Sequence, residues 1–308
     1  MFKQYVRLIV RKLSRNRVYT MINIIGLSIA FSAAWLIYNH TANEWSMDGY
    51  LKNSDHIYRV ITRYDDEDFW NSRTNTPFGP TAKQTFPEIV QVARYFQKDY
   101  LIKIKEDQDF IVEPKLAFVD LPFFDLFEIP AVQGKIDTTV FSWIVFTETS
   151  AKRYFNKENP IGKMVSIKDL VNNRKKEIKC QVVAVVKDFP ANSTIQTNIM
   201  VDCRQGAPYF DEYRGNHSLH TYFHILPTAD LRTIENKLPA IASNMPDDVN
   251  HYSHKLQPLK DIYFHSDHLR EDELLRGSKS LTYLLWSITI LILLLAAGNF
   301  LLIRIAQQ

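Results

Sequence analysis

Residues 18–38 carry no charged side chain, and apart from two tyrosines their polar members are small, or Asn23. About twenty such residues, at ~1.5 Å rise each, span the ~30 Å hydrocarbon core of a bilayer. This stretch dictates a membrane helix before anything else about the chain is considered. A second apolar run covers residues 281–303. Whatever folds between the two is a segment held to a membrane at both ends.

The flanks set an orientation. Lys3, Arg7, Arg11, Lys12, Arg15 and Arg17 precede the first run, and no acidic residue occurs before Glu44. Short Lys- and Arg-rich ends stay on the cytoplasmic side. The N-terminus is therefore expected inside, the residues after about 39 outside, and the second run returns the chain inward to Arg304. Trp35 and Tyr38 end the first run and Tyr283 and Trp286 begin the second, which places both pairs at the outer interface where amphipathic rings prefer to sit. A cleaved signal peptide is the competing reading, but the apolar stretch is too long and no small-x-small cleavage site follows.

Within 1–17, Phe2, Tyr5, Val6, Ile9 and Leu13 share one helical face, which predicts a helix lying on membrane lipid; a plain charged topogenic tail is the alternative. Gly26, Ala30 and Ala34 recur every four residues and are the candidate helix-packing face of the first span. All 34 acidic residues lie between the two runs, which makes that segment acidic on balance although the whole chain carries +3. No clustered basic face exists, so no nucleic-acid partner is expected.

The expected organisation is a first membrane helix at 18–39, an outside domain at 40–279, a second membrane helix at 280–303 and a cytoplasmic end at 304–308. Alternation at 57–61 predicts a strand, 76–80 a loop, 81–86 a short helix ended by Pro87, and 90–96 a strand. From 99 onward the pattern turns to strands at 101–105, 110–112, 116–119, 143–146 and 179–186, with one helix at 149–155 and a hairpin tip at 169–176. The run at 179–186 is nearly continuous in apolar residues, which marks a strand buried on both faces. A strand at 221–226, a helix at 230–242 and a strand at 255–264 restore the β-α-β rhythm. The fold class is thus α+β: two β-α-β halves, 54–98 and 218–265, around a β-rich insertion at 99–205. Cys180 and Cys203 both fall outside the membrane and could pair in an oxidising compartment.

Tests for chemistry return little. Gly162-Lys163 lacks the upstream glycine and the following Ser or Thr of a phosphate loop, and there is no Gly-x-Gly-x-x-Gly or Gly-x-Ser-x-Gly. His217, His220, His224, His251, His254, His265 and His268 include i, i+3 and i, i+4 pairs, but no His-Glu-x-x-His; they read as surface or loop histidines. Asp188 and Asp202 read as turn residues. No catalytic, cofactor or metal-binding residue is expected. Asn299, beyond Gly298, can bond a neighbouring helix or lie near the inner interface.

Several stretches taken together resemble the MacB/FtsX-type ABC transporter permeases. They are Phe2-Lys3-Gln4-Tyr5, Asn16-Arg17-Val18-Tyr19, the segment at 22–30, Glu44-Trp45-Ser46-Met47-Asp48, His56-Ile57-Tyr58-Arg59-Val60, and Leu259-Lys260-Asp261-Ile262-Tyr263. The most specific is Phe155-Asn156-Lys157-Glu158-Asn159-Pro160-Ile161-Gly162-Lys163, and Val185-Val186-Lys187-Asp188-Phe189-Pro190-Ala191-Asn192-Ser193 continues the resemblance. The resemblance implies a porter-like α/β subdomain with an inserted β-rich subdomain, in the periplasm of a bacterial inner membrane. It also implies dimerisation with a second copy or a related permease, a cytoplasmic ABC ATPase as partner, and a periplasmic or outer-membrane partner. ATP-driven motion would serve efflux, lipoprotein release or control of cell-wall hydrolases. In that reading Glu44, Trp45, Asp48, Asp267, Arg270 and Arg276 lie in the stalk segments that transmit helix movement. The family continues past the second helix with an ATPase-contacting segment and further membrane helices; the present sequence stops at Gln308, as a fragment or a truncated product would. A two-helix membrane sensor with an outside ligand-binding domain is the alternative.

Overall fold

The computed structural model describes residues 17–64, 68–136, 140–170, 177–205, 219–243, 252–270, 272 and 274–305. The chain divides into two compact units, one of residues 1–46 with 277–308 and one of residues 47–276. The expected interfacial helix at 1–17 falls almost wholly outside the described residues, as do His217, His251 and most of the hairpin tip at 169–176.

The first unit holds helix α1 (Arg17–Trp45) and helix α7 (Lys279–Ile305). Both contain spans long and apolar enough to cross a membrane, Thr20–Trp45 and Lys279–Leu302. At ~1.5 Å per residue each helix is roughly 40 Å long, which exceeds a ~30 Å hydrocarbon core by about two turns. The residues after Asn39, expected to begin a stalk, therefore continue the helix to Trp45. Most of both helices is open to the surroundings, with Ile29 65% and Leu302 69% exposed, as suits helices solvated by lipid.

The second unit is built on one mixed sheet. In chain order its elements are β1 (Ile57–Tyr64), β2 (Trp70–Asn71), α2 (Phe78–Thr85), β3 (Ile89–Lys103), β4 (Ile111–Val119), α3 (Pro122–Leu126), β5 (Ala131–Gly134), β6 (Trp143–Thr147), α4 (Glu148–Phe155), β7 (Met164–Asp169), β8 (Ile178–Val186), β9 (Ile199–Asp202), β10 (His220–Ile225), α5 (Leu231–Ser243), β11 (Tyr252–Pro258), α6 (Leu259–Ile262) and β12 (Leu269–Arg270). The strands run β12-β2-β1-β10-β3-β4-β9-β6-β8-β5, with β11 beside β1 and β7 bridging β3 and β8.

The sheet serves three apolar clusters. Val60, Phe78, Phe223, Ile234 and Leu238 fill one beneath α2 and α5; Tyr100, Phe118, Phe146, Ile167 and Cys180 fill another; Tyr95, Phe123, Phe127, Trp143 and Tyr222 fill the third. β8 is buried throughout from Val182 to Val186, as its unbroken apolar run requires. Simple alternation along β6 sends Trp143 and Val145 into one cluster and Ile144 and Phe146 into another, while the register shift against β8 skips Val183.

Four local readings change. The strands expected at 90–96 and 101–105 are one strand, β3, because polar Gln97-Lys98-Asp99 forms a bulge and not a loop; Asp99 accepts from the Lys115 amide there. The expected strands at 110–112 and 116–119 likewise join as β4. The helix expected at 81–86 starts earlier, at Phe78, since Pro80 is tolerated in a first turn whose amides lack helical partners. The strand expected at 255–264 ends at Pro258, which sits at the N-cap of α6. Helix α3, opened by Pro122 at its first turn, was legible from that proline and was missed.

Candidate functional site

The expected site residues fall into both units. In the helical unit, Ala30 and Ala34 are 7% and 8% exposed in a helix otherwise largely open. Thr41 of α1, with Thr282 and Thr289 of α7, is buried too. Small side chains at these positions let helix backbones approach closely. Gly26 differs: a Cβ there would meet nothing within 4 Å. With Leu27, Ala30 and Ala33 it lines a cleft of about 460 Å³ whose far wall is Leu295, Ala296 and Asn299. Toward Trp45 the pair is tied by polar and aromatic contacts. Thr282 Oγ1 donates to Glu44 Oε2 at 2.8 Å, Glu44 also meets His40 at 3.5 Å, and the Trp45 and Tyr283 rings lie 6.2 Å apart.

In the globular unit, Asp48 is the first site residue after the boundary. It is 1% exposed and adopts φ 53°, a left-handed conformation that costs a non-glycine residue energy. Its carboxylate accepts from Thr194 Oγ1 at 2.6 Å, the Thr194 amide at 3.0 Å and Ser193 Oγ at 3.3 Å. Burial pushes its pKa up against those hydrogen bonds. The stretch Lys187-Asp188-Phe189-Pro190-Ala191-Asn192-Ser193, quoted above for its resemblance, thus has a physical task. Asp188 caps α4 through the Thr149 amide and hydroxyl, at 3.0 and 2.7 Å, and Ser193 helps hold Asp48.

The outgoing segment 266–276 is pinned as well. Arg59 of β1 is fully buried and forms a bidentate pair with Asp272, at 2.9 and 3.0 Å, while also bonding Gln257 Oε1 and Ser266 Oγ. Burial acts to raise the Asp272 pKa, but the adjacent guanidinium prevails and the net shift is downward. Arg276 bonds the Asp272 carbonyl at 2.8 Å. Arg270 stacks over the Phe69 ring at 3.6 Å, and Asp267 is exposed. Sequence reading named Asp267, Arg270 and Arg276 but missed Arg59, Asp272 and Thr194. One signal was present: Arg59 shares the alternating face of Ile57 and Ile61, both buried.

Other candidates resolve into structure. His220 is fully buried and its Nδ1 donates to the Ser72 carbonyl at 3.0 Å; burial drives its pKa down to about 3, so it is neutral. The reading of His220 as a surface or loop residue is thereby corrected, as is that of His254, which is buried on β11 with its ring stacked 4.6 Å from that of Phe78: strands carry both inward. Asp202 pairs with Arg204 at 2.6 Å. Cys180 and Cys203 are free and buried, and burial first of all raises both thiols to about 12. β6 lies between them, with Ile144 facing Val182 on one side and Val201 on the other. Two strand spacings, roughly 9–10 Å, exceed the ~7 Å Cα separation that a disulfide tolerates. The motif at 155–163 is turn chemistry. Asn156 and Gly162 take φ 53° and 84°, and Asn159 Oδ1 accepts from the Ile161 amide at 3.0 Å. Among the described residues no group of three or more His, Cys, Asp or Glu converges to hold a metal ion.

Residues 20–241 match the sequence profile of the MacB-like periplasmic core domain. Among solved structures, a domain of a candidate permease protein from Porphyromonas gingivalis aligns with 72% of this chain and 96% of its own, at 17% identity and a TM-score of 0.56. The periplasmic region of MacB from Actinobacillus actinomycetemcomitans aligns with 68% of this chain and 91% of its own, at 14% identity and a TM-score of 0.47. The extracellular domain of the ABC-type transporter YknZ from Gram-positive bacteria aligns with 64% and 98%, at 12% identity and a TM-score of 0.47. The first of these shares the fold. A comparison with curated protein sequences returns no match.

Proposed function

The chain belongs to the MacB-like periplasmic core domain family, and on that premise we propose that it is the portion of a MacB/FtsX-type ABC transporter permease that couples a separate cytoplasmic ATPase to movement of its periplasmic unit. The observation that carries the reading is where the match falls. It begins at residue 20, inside the first apolar helix, which supports reading that helix as part of the family pattern. A second apolar helix follows the domain.

In this reading the chain performs no chemistry and ATP hydrolysis belongs to the partner. The N-terminus is cytoplasmic, as its basic residues favour. The cleft lined by Gly26, Ala30, Ala33 and Asn299 receives a further membrane helix, from a second copy or a related permease. The process served is efflux, lipoprotein release or cell-wall control, with a periplasmic or outer-membrane protein at the far end.

Mechanical coupling requires stiff connections. A flexible insertion of about ten Gly and Ser residues between Arg276 and Gly277 behaves as a random coil. It is expected to abolish ATP-dependent activity of the assembled transporter while leaving basal ATP hydrolysis by the partner in place. Full ATP-dependent activity with the insertion present would refute the proposal.

A further inference from the structure

The chain enters the globular unit at residue 47 and leaves it at residue 276. These two junctions are as far apart in sequence as the unit allows, yet one short loop between β8 and β9 holds both. On the incoming side, the Asp48 amide donates to the Asn192 carbonyl at 2.8 Å, and the Asp48 carboxylate takes the three bonds from Ser193 and Thr194. Tyr50 adds a bond from its hydroxyl to Ser193 Oγ at 3.2 Å. On the outgoing side, the Leu275 amide donates to the Thr194 carbonyl at 3.3 Å. Thr194 therefore bonds one junction through its amide and hydroxyl and the other through its carbonyl.

The loop itself is anchored. Gln196 Nε2 donates to the Pro190 and Ser193 carbonyls, at 2.7 and 3.1 Å, and the Gln196 carbonyl accepts from Gln97 Nε2 of β3 at 2.7 Å. Thr197 Oγ1 donates to the Lys115 carbonyl of β4 at 2.6 Å. Leu51, Ile195 and Leu274, one from each of the three segments, are buried in the same apolar cluster. The backbone of Asp48 is held in a left-handed conformation that its surroundings must over-determine to sustain.

We infer that the loop at 190–197 is a clasp that cross-ties the incoming and outgoing junctions, so that the two membrane connections act on the sheet together and not independently. This deepens the permease reading, on which its purpose rests. The clasp also makes a claim about the protein alone, and that claim can fail while the permease reading stands.

Coupling between two sites is reciprocal and measurable at either. Thr194→Val removes the hydroxyl bond to Asp48 and leaves the Thr194 carbonyl, which serves Leu275, chemically unchanged. Amide hydrogen exchange of the full chain in lipid nanodiscs reads both junctions. The expected result is an increase of about tenfold or more at Asp48, as for loss of a bond to a charged group, with a rise in the same direction at Leu275. Amides of Val182–Val186 in β8 should change less than about twofold. Faster exchange at Asp48 with none at Leu275 would mean independent junctions and overturn the clasp. Equal acceleration everywhere, β8 included, would reduce the loop to general stability and overturn it as well. Should Thr194→Val fail to fold, Ser193→Ala, which loses only the two longer bonds, is read by the same criteria.

Discussion

Arg59 stands where an alternating strand reserves room for an apolar side chain, and its charge survives there because Asp272 supplies both oxygens. The two residues are 213 positions apart, which is why a reading of local pattern could see the anomaly and not its answer. Breaking a buried pair leaves an uncompensated charge and costs about 3–5 kcal/mol, whereas replacing both partners by apolar groups can be neutral. Arg59→Met is therefore expected to lower the urea midpoint sharply, and Arg59→Met with Asp272→Leu to restore most of it. His220 gives the same region a pH dependence. Its value falls from 6.5 in an ordinary environment to about 3 here, so below 6.5 the unfolded chain binds a proton that the folded chain refuses. Stability should thus decline as pH drops from 6.5 toward 3, by on the order of 5 kcal/mol in all. Asp272, whose pKa is depressed, adds a loss only below about 4, the unfolded carboxylate range. His220→Phe should flatten the upper part of that decline at some cost at neutral pH, as followed by thermal melts of the full chain between pH 4 and 7.

At the level of elements, legibility followed composition. β8 announced itself because five consecutive buried residues leave no solvent face to mask the pattern. α4 opens on a Thr-Glu-Thr-Ser stretch that offers capping oxygens, and Thr147 accepts from the Ser150 amide. β3 was split in two because its middle is polar: Lys98 and Asp99 look like loop residues until Lys98 is seen 3.6 Å from Asp169. The helical unit has its own test. Ala34 is 8% exposed, and overfilling a packed contact costs about 1–3 kcal/mol. Ala34→Leu should weaken pairing of α1 with α7. In a chain bearing Tyr38→Cys and Trp286→Cys, whose native rings lie 6.1 Å apart, oxidative crosslinking should fall when Ala34 is enlarged.

For the whole molecule, fold class and membrane attachment could be read from the pattern of apolar runs, since each depends on stretches contiguous in sequence. That all the strands would share one sheet could not. The sheet passes from β10 to β3 and from β4 to β9, and those two pairings span long separations in sequence. The same topology sets an order of assembly. Arg59 and its partner Gln257 are 198 residues apart, and β1 pairs with β10 and β11, strands from the far end of the unit. At ~5–20 residues per second of synthesis, on the order of 10–40 s separate the emergence of β1 from that of β11. During that interval Ile57, Val60 and Ile61 have left the ribosome without the strands that will cover them. A chain that stops before His220 lacks both β10 and β11 and leaves that apolar strand uncovered, a physical mark that separates an incomplete chain from a complete one.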